Sequence, residues 1–466
     1  MSLLAPEAPL YELPDHALRV IHALESAGFD AWVVGGWVRD ALRGVEPQDV
    51  DVTSSAPWQQ AKSCLEAAGI AVRETGTAHG TVTAVVDARP IEVTTYRVEG
   101  SYSDHRHPDE VHFVTDVRDD LARRDFTINA MAFHPRRGLL DPFGGRADLA
   151  RGVIRAVGDP RLRFEEDALR VLRAVRFACR LGFDIEPATH AALVASASGL
   201  DDIAQERVGQ EMEGIVSSGR VGWALLNAGE PLFHAIPELR AMRGFDQRSP
   251  YHSYDVLEHT ACVCKAVEEF TGGLASDELR WAALLHDVAK PLCFTLDQEG
   301  RGHFYGHPQQ GAKMAERIMR RLSLPNSLVL PVRTLVRLHD HMVMASGRSI
   351  RRTLLKFEKA CPGRARELCF ALIDLKRADA VSKTPAAARY AVEVDQVTMA
   401  LRRELASGAV WKLRDLTVSG ADVMAETGIA PGPGVGIILD GLLSSVVNGD
   451  LPNEREQLLA AIRLRG

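Results

Sequence analysis

Alternation of apolar and polar residues with a period of two is confined to the first third of this chain. Residues 80–87 (GTVTAVVD) and 91–98 (IEVTTYRV) alternate, and Arg89-Pro90 between them predicts a hairpin turn. Runs at 31–34 and 49–53 predict two further strands, and 16–29 and 37–43 predict helices. Beyond DPFGG, residues 141–145, β signals nearly vanish. Helices are predicted over 164–181, 254–270, 277–290, 308–322, 328–341 and 364–380. A chain patterned this way is an α+β protein, a small head on an antiparallel or mixed sheet followed by mostly helical domains. Its 466 residues are too many for one ordinary domain. The pattern divides into a head over 1–150, a helical neck over 151–245, a third domain over 246–385 and a helical tail over 386–466. The polar segments RGFDQRSPYHS and SKTPAAARY lie at the later boundaries.

One stretch of the head bears chemistry. VVGGWVRDALRGVEPQDVDVT, residues 33–53, sets Gly35 and Gly36 between a strand and a helix and closes on D-V-D. Glycine lets a backbone approach a ligand, and a helix start offers free N–H groups to phosphate. On a strand, Asp49 and Asp51 share a face while Val50 and Val52 point into a core. Crowded carboxylates repel each other unless a cation lies between them, and hard oxygen donors suit Mg²⁺. A phosphate cradle beside such a pair suits two-metal phosphoryl chemistry; the plainer reading is a pair of turn and edge acids. Glu92, in IEVTT, is either a third carboxylate or a salt-bridge member.

The formal net charge of -7 speaks against a nucleic-acid partner, but charge is local. From Arg118 to Arg180 the chain holds fourteen arginines, no lysine and nine acids. Arginine used this exclusively suits phosphate and carboxylate forks, against the plainer alternative of a solvated helical surface. The seven scattered cysteines, odd in number, fit a reducing compartment. The N-terminus shows no cationic start followed by an apolar stretch, and no run approaches the ~18 residues of a membrane span. A cytoplasmic protein without a membrane partner is therefore expected.

These motifs bear a resemblance. GGWVRD with PQDVDVT resembles motif A of the DNA polymerase β-like nucleotidyltransferases. RRDFTINAMAF, 123–133, is similar to motif B of the class II tRNA nucleotidyltransferases, the CCA-adding enzymes and their poly(A) polymerase relatives. DPFGGRADLARGVIRAVG (141–158), FEEDALRVLRAVRFACRLGF (164–183) and ERVGQEM (206–212) resemble the motif that follows, motif D and motif E. The resemblance implies template-independent, Mg²⁺-dependent addition of C, C and A to the 3′ end of tRNA from CTP and ATP. It implies that Asp49 and Asp51 are catalytic and hold Mg²⁺. It further implies nucleotide binding by Gly36, Arg39, Arg124, Asp125, Asn129, Glu166, Asp167, Arg170, Arg173 and Arg176, with Arg123 near ribose and triphosphate and Asp40 orienting Arg39.

Asp167 and Arg170 are three apart on the predicted helix and so share a face. In the family this pair reads the incoming base. Cytosine and adenine each show an exocyclic amine beside a ring nitrogen, so an Asp accepts from the first and an Arg donates to the second. Uracil and guanine would turn a carbonyl toward the acid. Glu166 is expected to orient Arg170. The loop at 98–114 corresponds to the segment that switches CCA-adding members from C to A. Poly(A), CC-only and A-only polymerases remain the alternatives on the same motifs.

Farther along, His259, His286-Asp287 and Asp379 form the ordered set H…HD…D. The set resembles the HD phosphohydrolase superfamily, whose helices aim imidazoles and carboxylates at one or two divalent metals. The resemblance implies a second metal centre with phosphatase or 2′,3′-cyclic phosphodiesterase activity, against a relic site of packed histidines. An HD phosphohydrolase with a vestigial transferase head is the alternative for the whole chain. His307, His339 and His341 are candidate added ligands or phosphate contacts. Cys262 and Cys264, about 200° apart on a helix, are read as core thiols. The tail resembles the end of HD-bearing bacterial members, and its turn at Pro431 to Gly436 has N–H groups for tRNA phosphate, or serves simply to join helices.

Overall fold

The computed structural model describes residues 12–99, 111–251, 253–384 and 389–464. Residues 100–110 of the expected switch loop and 385–388 of the expected later junction lie outside the described residues. The chain forms two compact units. One comprises the residues up to Ile215 together with Ala228–Ala235, the other Val216–Asn227 together with Ile236–Gly466.

The first unit begins α1 (Asp15–Ser26), β1 (Ala31–Val34), α2 (Gly36–Leu42), β2 (Asp51–Ser54), α3 (Trp58–Ala67), β3 (Ala71–Gly76), β4 (Thr81–Val86) and β5 (Arg89–Thr95). A two-stranded ribbon, β6 (Arg97–Glu99) with β7 (Val111–Phe113), then leads to α4 (Val117–Ala122), β8 (Ala132–His134) and β9 (Gly138–Leu140). Seven strands make one mixed sheet in the order β3-β4-β5-β2-β1-β8-β9. Within it only β2 and β5 run parallel. β1, central and flanked on both sides, is buried at all four positions, which is why AWVV reads as an unbroken apolar run. α1 buries Ala17, Val20, Ile21 and Leu24, the spacing of one helical face.

Two local expectations are corrected here. The β4–β5 turn is Asp87-Ala88, at φ 52° and 63°, and not Arg89-Pro90. A two-residue turn of that hand matches the twist of the strands it joins. Pro90 pairs with Val85 inside β5, before β5 meets β2 at Glu92. The second correction concerns β2, which starts at Asp51 and leaves Asp49 in the exposed segment before it. Continued two residues back, the parallel register sets Asp49 beside Pro90, which has no N–H to donate. On the other side β1 has ended, and Gly35 turns the chain at φ 68°.

The helices that follow are α5 (Gly145–Arg151), α6 (Pro160–Glu166), α7 (Leu169–Leu181), α8 (Pro187–Ala195) and α9 (Gln205–Ser217). The single helix expected over 164–181 is therefore two. Asp167 breaks it in extended conformation (φ -140°, ψ 103°), and its Oδ1 accepts from the Leu169 N–H at 3.0 Å. A short acid that satisfies an orphan N–H competes with helix continuation. α7 buries Leu169, Val171, Leu172, Val175 and Ala178.

The second unit is almost wholly helical. Val256–Thr271, Asp277–Leu285, His307–Arg321, Asn326–Leu338 and Ala365–Val381 bring the histidine-bearing segments together. A small antiparallel ribbon, Thr295–Leu296 with Gly302–His303, interrupts them. The tail helices Gly420–Thr427, Pro433–Asn448 and Arg455–Arg463 close on a core of Val423, Leu442, Leu443, Val447, Leu458 and Ile462. Among the described residues no helix is long and apolar enough to cross a membrane.

Candidate active sites

A cavity of about 690 Å³ opens in the first unit, lined by Gly35, Gly36, Asp51 and the guanidinium-bearing residues Arg39, Arg123, Arg124, Arg170, Arg173 and Arg176. Asp51 is the first residue of β2, and its paired residue on β5 is Glu92. Desolvation beside the strands pushes the Asp51 pKa up although the side chain reaches open space. The Glu92 carboxylate adds to the rise, Arg124 opposes it and Asp49 reinforces it. Asp49 itself does not line this cavity; it borders a neighbouring hollow with Glu46, Gln48 and Arg89. Gly35 is needed twice over. Its φ is left-handed, and an added Cβ would stand 3.1 Å from Arg124 Nη1.

The arginines are aimed by partners of their own. Arg39 donates from Nε and Nη2 to the two oxygens of Asp40 at 2.9 and 2.8 Å, and from Nη1 to Asn129 Oδ1 at 2.8 Å. Arg173 donates to Asp125 Oδ2 at 3.2 and 2.8 Å, while Asp125 Oδ1 accepts from Phe126 N–H and Asn129 Nδ2. Arg176 Nε reaches Glu211 Oε2 at 2.6 Å. Arg39, Arg173 and Arg176 all lie against the ring of Phe177, 4.7 to 5.6 Å from its centroid. Burial works to raise the Asp125 pKa, but Arg173 and the Asn129 amide outweigh it and hold the carboxyl below its usual range.

Glu166 Oε2 accepts from Arg170 Nη1 at 2.6 Å and lies 2.9 Å from Arg163 Nη1. Arg170 also donates to the carbonyls of Arg163 and Arg123, both at 3.2 Å. Asp167 lines the cavity next to Arg170, and Arg207 Nη2 stands 3.8 Å from its Oδ2. The structure thus gathers Gly36, Arg39, Asp51, Arg123, Arg124, Asp125, Asn129, Asp167, Arg170, Arg173 and Arg176 around one space.

In the second unit four imidazoles converge. His259 comes from the first turn of helix Val256–Thr271, His286 and His339 from just past two helix ends, and His307 from the start of His307–Arg321. Each Nδ1 faces a backbone carbonyl: Ser382 at 3.4 Å, Ala283 at 2.8 Å, Val336 at 2.7 Å and Phe304 at 2.8 Å respectively. Donation from Nδ1 leaves the Nε2 lone pairs pointing inward. Asp287 spans them. Its Oδ2 is 3.1 Å from His286 Nε2 and 3.7 Å from His259 Nε2; its Oδ1 is 3.5 Å from His307 Nε2 and 3.7 Å from His339 Nε2. Asp379 Oδ1 is 3.1 Å from His259 Nε2. The ligand atoms of His259, His286 and Asp379 lie within 4.8 Å of one another, as do those of Asp287, His307 and His339. Nε2 of His286 is buried and makes no well-aligned hydrogen bond; with Nδ1 donating to Ala283, its lone pair faces Asp287 Oδ2 at 3.1 Å, a repulsion a metal would relieve. Lys290 Nζ, 2.7 Å from Asp287, and Lys383 Nζ, 2.5 Å from Asp379, offset the acids. His341 stands outside this ring and pairs with Lys356 Nζ at 2.9 Å.

Comparison with known proteins matches four segments of the chain. Residues 31–155 match the poly A polymerase head domain and 182–241 the RNA and SrmB-binding site of polymerase A. Residues 251–384 match the HD domain, and 376–462 match tRNA nucleotidyltransferase domain 2. The CCA-adding enzyme of Geobacillus thermodenitrificans is 32% identical over 447 residues, 95% of each chain. The chain belongs to the CCA-adding enzymes. That of Geobacillus stearothermophilus is 31% identical over 459 residues, again 95% of each chain. The Bacillus stearothermophilus CCA-adding enzyme, solved in complex with CTP, superposes with a TM-score of 0.68 at 29% identity, covering 97% of this chain and 96% of that one.

As a CCA-adding enzyme the chain is a tRNA nucleotidyltransferase. Several residues that line its cavity or brace the arginines from behind were not singled out from sequence. Asp120 is fully buried and accepts from Arg123 at 2.7 Å, Arg124 at 3.3 Å and the Thr53 hydroxyl at 3.2 Å. Its signal was present as an acid three and four residues before two arginines. Glu211 lies inside the quoted ERVGQEM, but nothing in the spacing tied it to Arg176. Phe177, His79 and Arg97 gave no signal that set them apart from core and surface. All seven cysteines are free; Cys264 is buried in the core as expected, whereas Cys262 is only half-buried.

Proposed function

We propose that the first unit adds C, C and A to the 3′ end of tRNA from CTP and ATP, with Mg²⁺ held by Asp51 and Asp49. The observation that supports this most directly is the single cavity uniting Asp51, the aimed arginines and the Asp167–Arg170 pair. The donor set fits the metal: Asp51 and Glu92 are paired across strands, and after burial the Glu92 carboxylate helps push the Asp51 pKa up, a repulsion that a cation between them would relieve. When bound, the ion would favour the 3′ hydroxyl as a nucleophile and steady the departing pyrophosphate. The chain's own residues do the rest. Arg39, Arg173 and Arg176, prefixed by Asp40, Asp125 and Glu211, orient the polyphosphate without reorganising. Asp167 accepts from the amine of C or A, and Arg170, braced by Glu166, donates to the ring nitrogen. The free thiols support a reducing compartment, the cytoplasm. Extension of a tRNA lacking its last three nucleotides, with CTP and ATP singly and together, tests the reading. Two additions with CTP alone and three with both are expected; long tails from ATP alone would make this a poly(A) polymerase.

A second reading concerns the other unit, and the His286 Nε2 that faces the Asp287 carboxylate without a well-aligned hydrogen bond favours it. His259, His286 and Asp379, and beside them Asp287, His307 and His339, would hold divalent metal, and the unit would act as a metal-dependent phosphohydrolase. Phosphate release from simple esters and from 2′,3′-cyclic esters, lost on chelation and in His286→Ala, is the expected result.

A further inference from the structure

Nucleotide addition joins two substrates. In the proposed reaction the paired arginines and the Asp167–Arg170 pair serve the incoming triphosphate, and the 3′ end of the tRNA needs a wall of its own. In an in-line displacement the attacking and leaving oxygens lie on opposite sides of the phosphorus. The sheet gives each side an address. Asp51 on β2 pairs with Val34 of β1 on one flank and with Glu92 of β5 on the other. Gly35 and Gly36 follow β1 directly, so a cradle for the departing pyrophosphate belongs to the β1 flank. The attacking hydroxyl then belongs to the β5 flank, toward β4.

His79 and Arg97 line the cavity from that flank. His79 closes a 3₁₀ turn, Thr77–His79, that leads into β4, and Arg97 opens β6 just past β5. Two residues along β5 from Glu92, the same face of the sheet carries Thr94 and its partner Thr81, hydroxyl to hydroxyl at 3.0 Å. The turn is held rigidly. Arg97 Nη1 donates to the His79 carbonyl, and the Gly80 carbonyl accepts from the Thr95 N–H at 2.9 Å. Gly80 is left-handed at φ 73°, and an added Cβ would stand 2.7 Å from the Phe113 ring. The His79 side chain is exposed all the same, and among the described residues its imidazole makes no hydrogen bond or ion pair. The arginines assigned to the triphosphate are each tied to an acid of the chain; this imidazole is tied to none. A donor mounted on a rigid turn at the edge of a polar cavity suits an anion that arrives with a substrate.

We propose that His79 and Arg97 bind the phosphodiester joining the last two nucleotides of the tRNA, and so hold its 3′ hydroxyl for attack beside Asp51. This rests on reading Asp51 as the metal-binding acid of nucleotide addition. A contact to backbone carries no sequence information, so one grip serves each successive end of the growing strand.

The test uses the full-length protein with Mg²⁺ and a tRNA ending in C-C, its last phosphodiester either natural or replaced by an uncharged methylphosphonate. Single-turnover addition of A is the readout. In wild-type protein the replacement should slow addition by about tenfold, the scale of one lost charge-assisted hydrogen bond. His79→Ala and Arg97→Gln should each slow the natural end, and in the double variant the replacement should have no further effect. KM for ATP should stay unchanged in all three variants, which also shows them folded. His79→Gln keeps an N–H donor and should recover most of the rate. Equal rates for the two ends in wild-type protein, or factors that simply multiply in the double variant, would overturn the proposal. Should the variants not fold, methylphosphonates at the last and next-to-last linkages decide it in wild-type protein. Slowing by the last alone supports the grip, and equal slowing by both overturns it. If wild-type protein adds no A to either tRNA, the nucleotide-addition reading fails. Fluorescence anisotropy then decides the grip: natural and replaced ends should differ in affinity for wild-type protein and not for the double variant, and equal affinities for wild-type protein overturn it.

Discussion

Asp51 and Glu92 are direct neighbours across the parallel strands β2 and β5, so both carboxylates leave the same face of the sheet. Two acids set this way form one electrostatic unit. Asp51→Asn is expected to cost on the order of 10²–10³ in the single-turnover rate of nucleotide addition, as for removal of one preorganised charge-stabilising group. Glu92→Gln should cost less but measurably. Wild-type rates from the double variant Asp49→Asn, Asp51→Asn would rule out Asp49 and Asp51 as the metal ligands.

Asp120, the most deeply buried acid described in the first unit, should be visible in stability. Burial works to raise the Asp120 pKa, but Arg124 and Arg123 outweigh it and hold it below the ordinary value. A depressed carboxyl contributes stability that is complete above its unfolded pKa of about 4 and is lost as pH falls through the folded value. Asp120→Asn is expected to cost about 3–5 kcal/mol near pH 7, since it strands two cationic side chains. The gap to wild type should narrow steadily below pH 4 in urea titrations.

Base choice should respond to one atom. Asp167→Asn keeps an oxygen for the Leu169 N–H but can present an amide donor to the cavity. Incorporation of C and A should fall relative to U and G by roughly 5- to 150-fold, the span of about 1–3 kcal/mol for a mispaired polar group. Competition assays with all four triphosphates read this directly, and an unchanged ratio would remove Asp167 from base reading.

Gly35→Ala should destabilise the first unit by about 1–2 kcal/mol through its left-handed φ. It also pushes on Arg124, so KM for CTP and ATP should rise more than kcat falls.

Metal should stabilise the second unit. At a hundredfold excess over Kd a ligand adds about 2.7 kcal/mol, enough to move a thermal midpoint by several degrees. Metal-stripped protein should gain such a shift on adding a divalent ion, and His286→Ala should not.

The sequence revealed residue type and spacing better than local geometry. GG followed by D-V-D located the cavity through Gly35, Gly36 and Asp51, while Asp49 lies outside it, and H…HD…D located the imidazole ring. The α+β division was legible because the two periodicities do not overlap along the chain. What failed were boundaries decided by neighbours far away. Asp49 falls outside β2 because of Pro90 and the end of β1. The break at Asp167 was hidden because its flanks keep helical periodicity. His307 and His339 could be named only as options, since their convergence depends on packing of helices distant in sequence.

Asp167 ties specificity to foldability. One of its oxygens fastens the first turn of α7, and the residue lines the cavity in which we propose the base is read. A change to Ala there would fray the helix that presents Arg170 and Arg173 as well as blind the reader. Relatives that drift toward other bases must therefore keep a short acceptor at this position, or rebuild the start of α7 some other way.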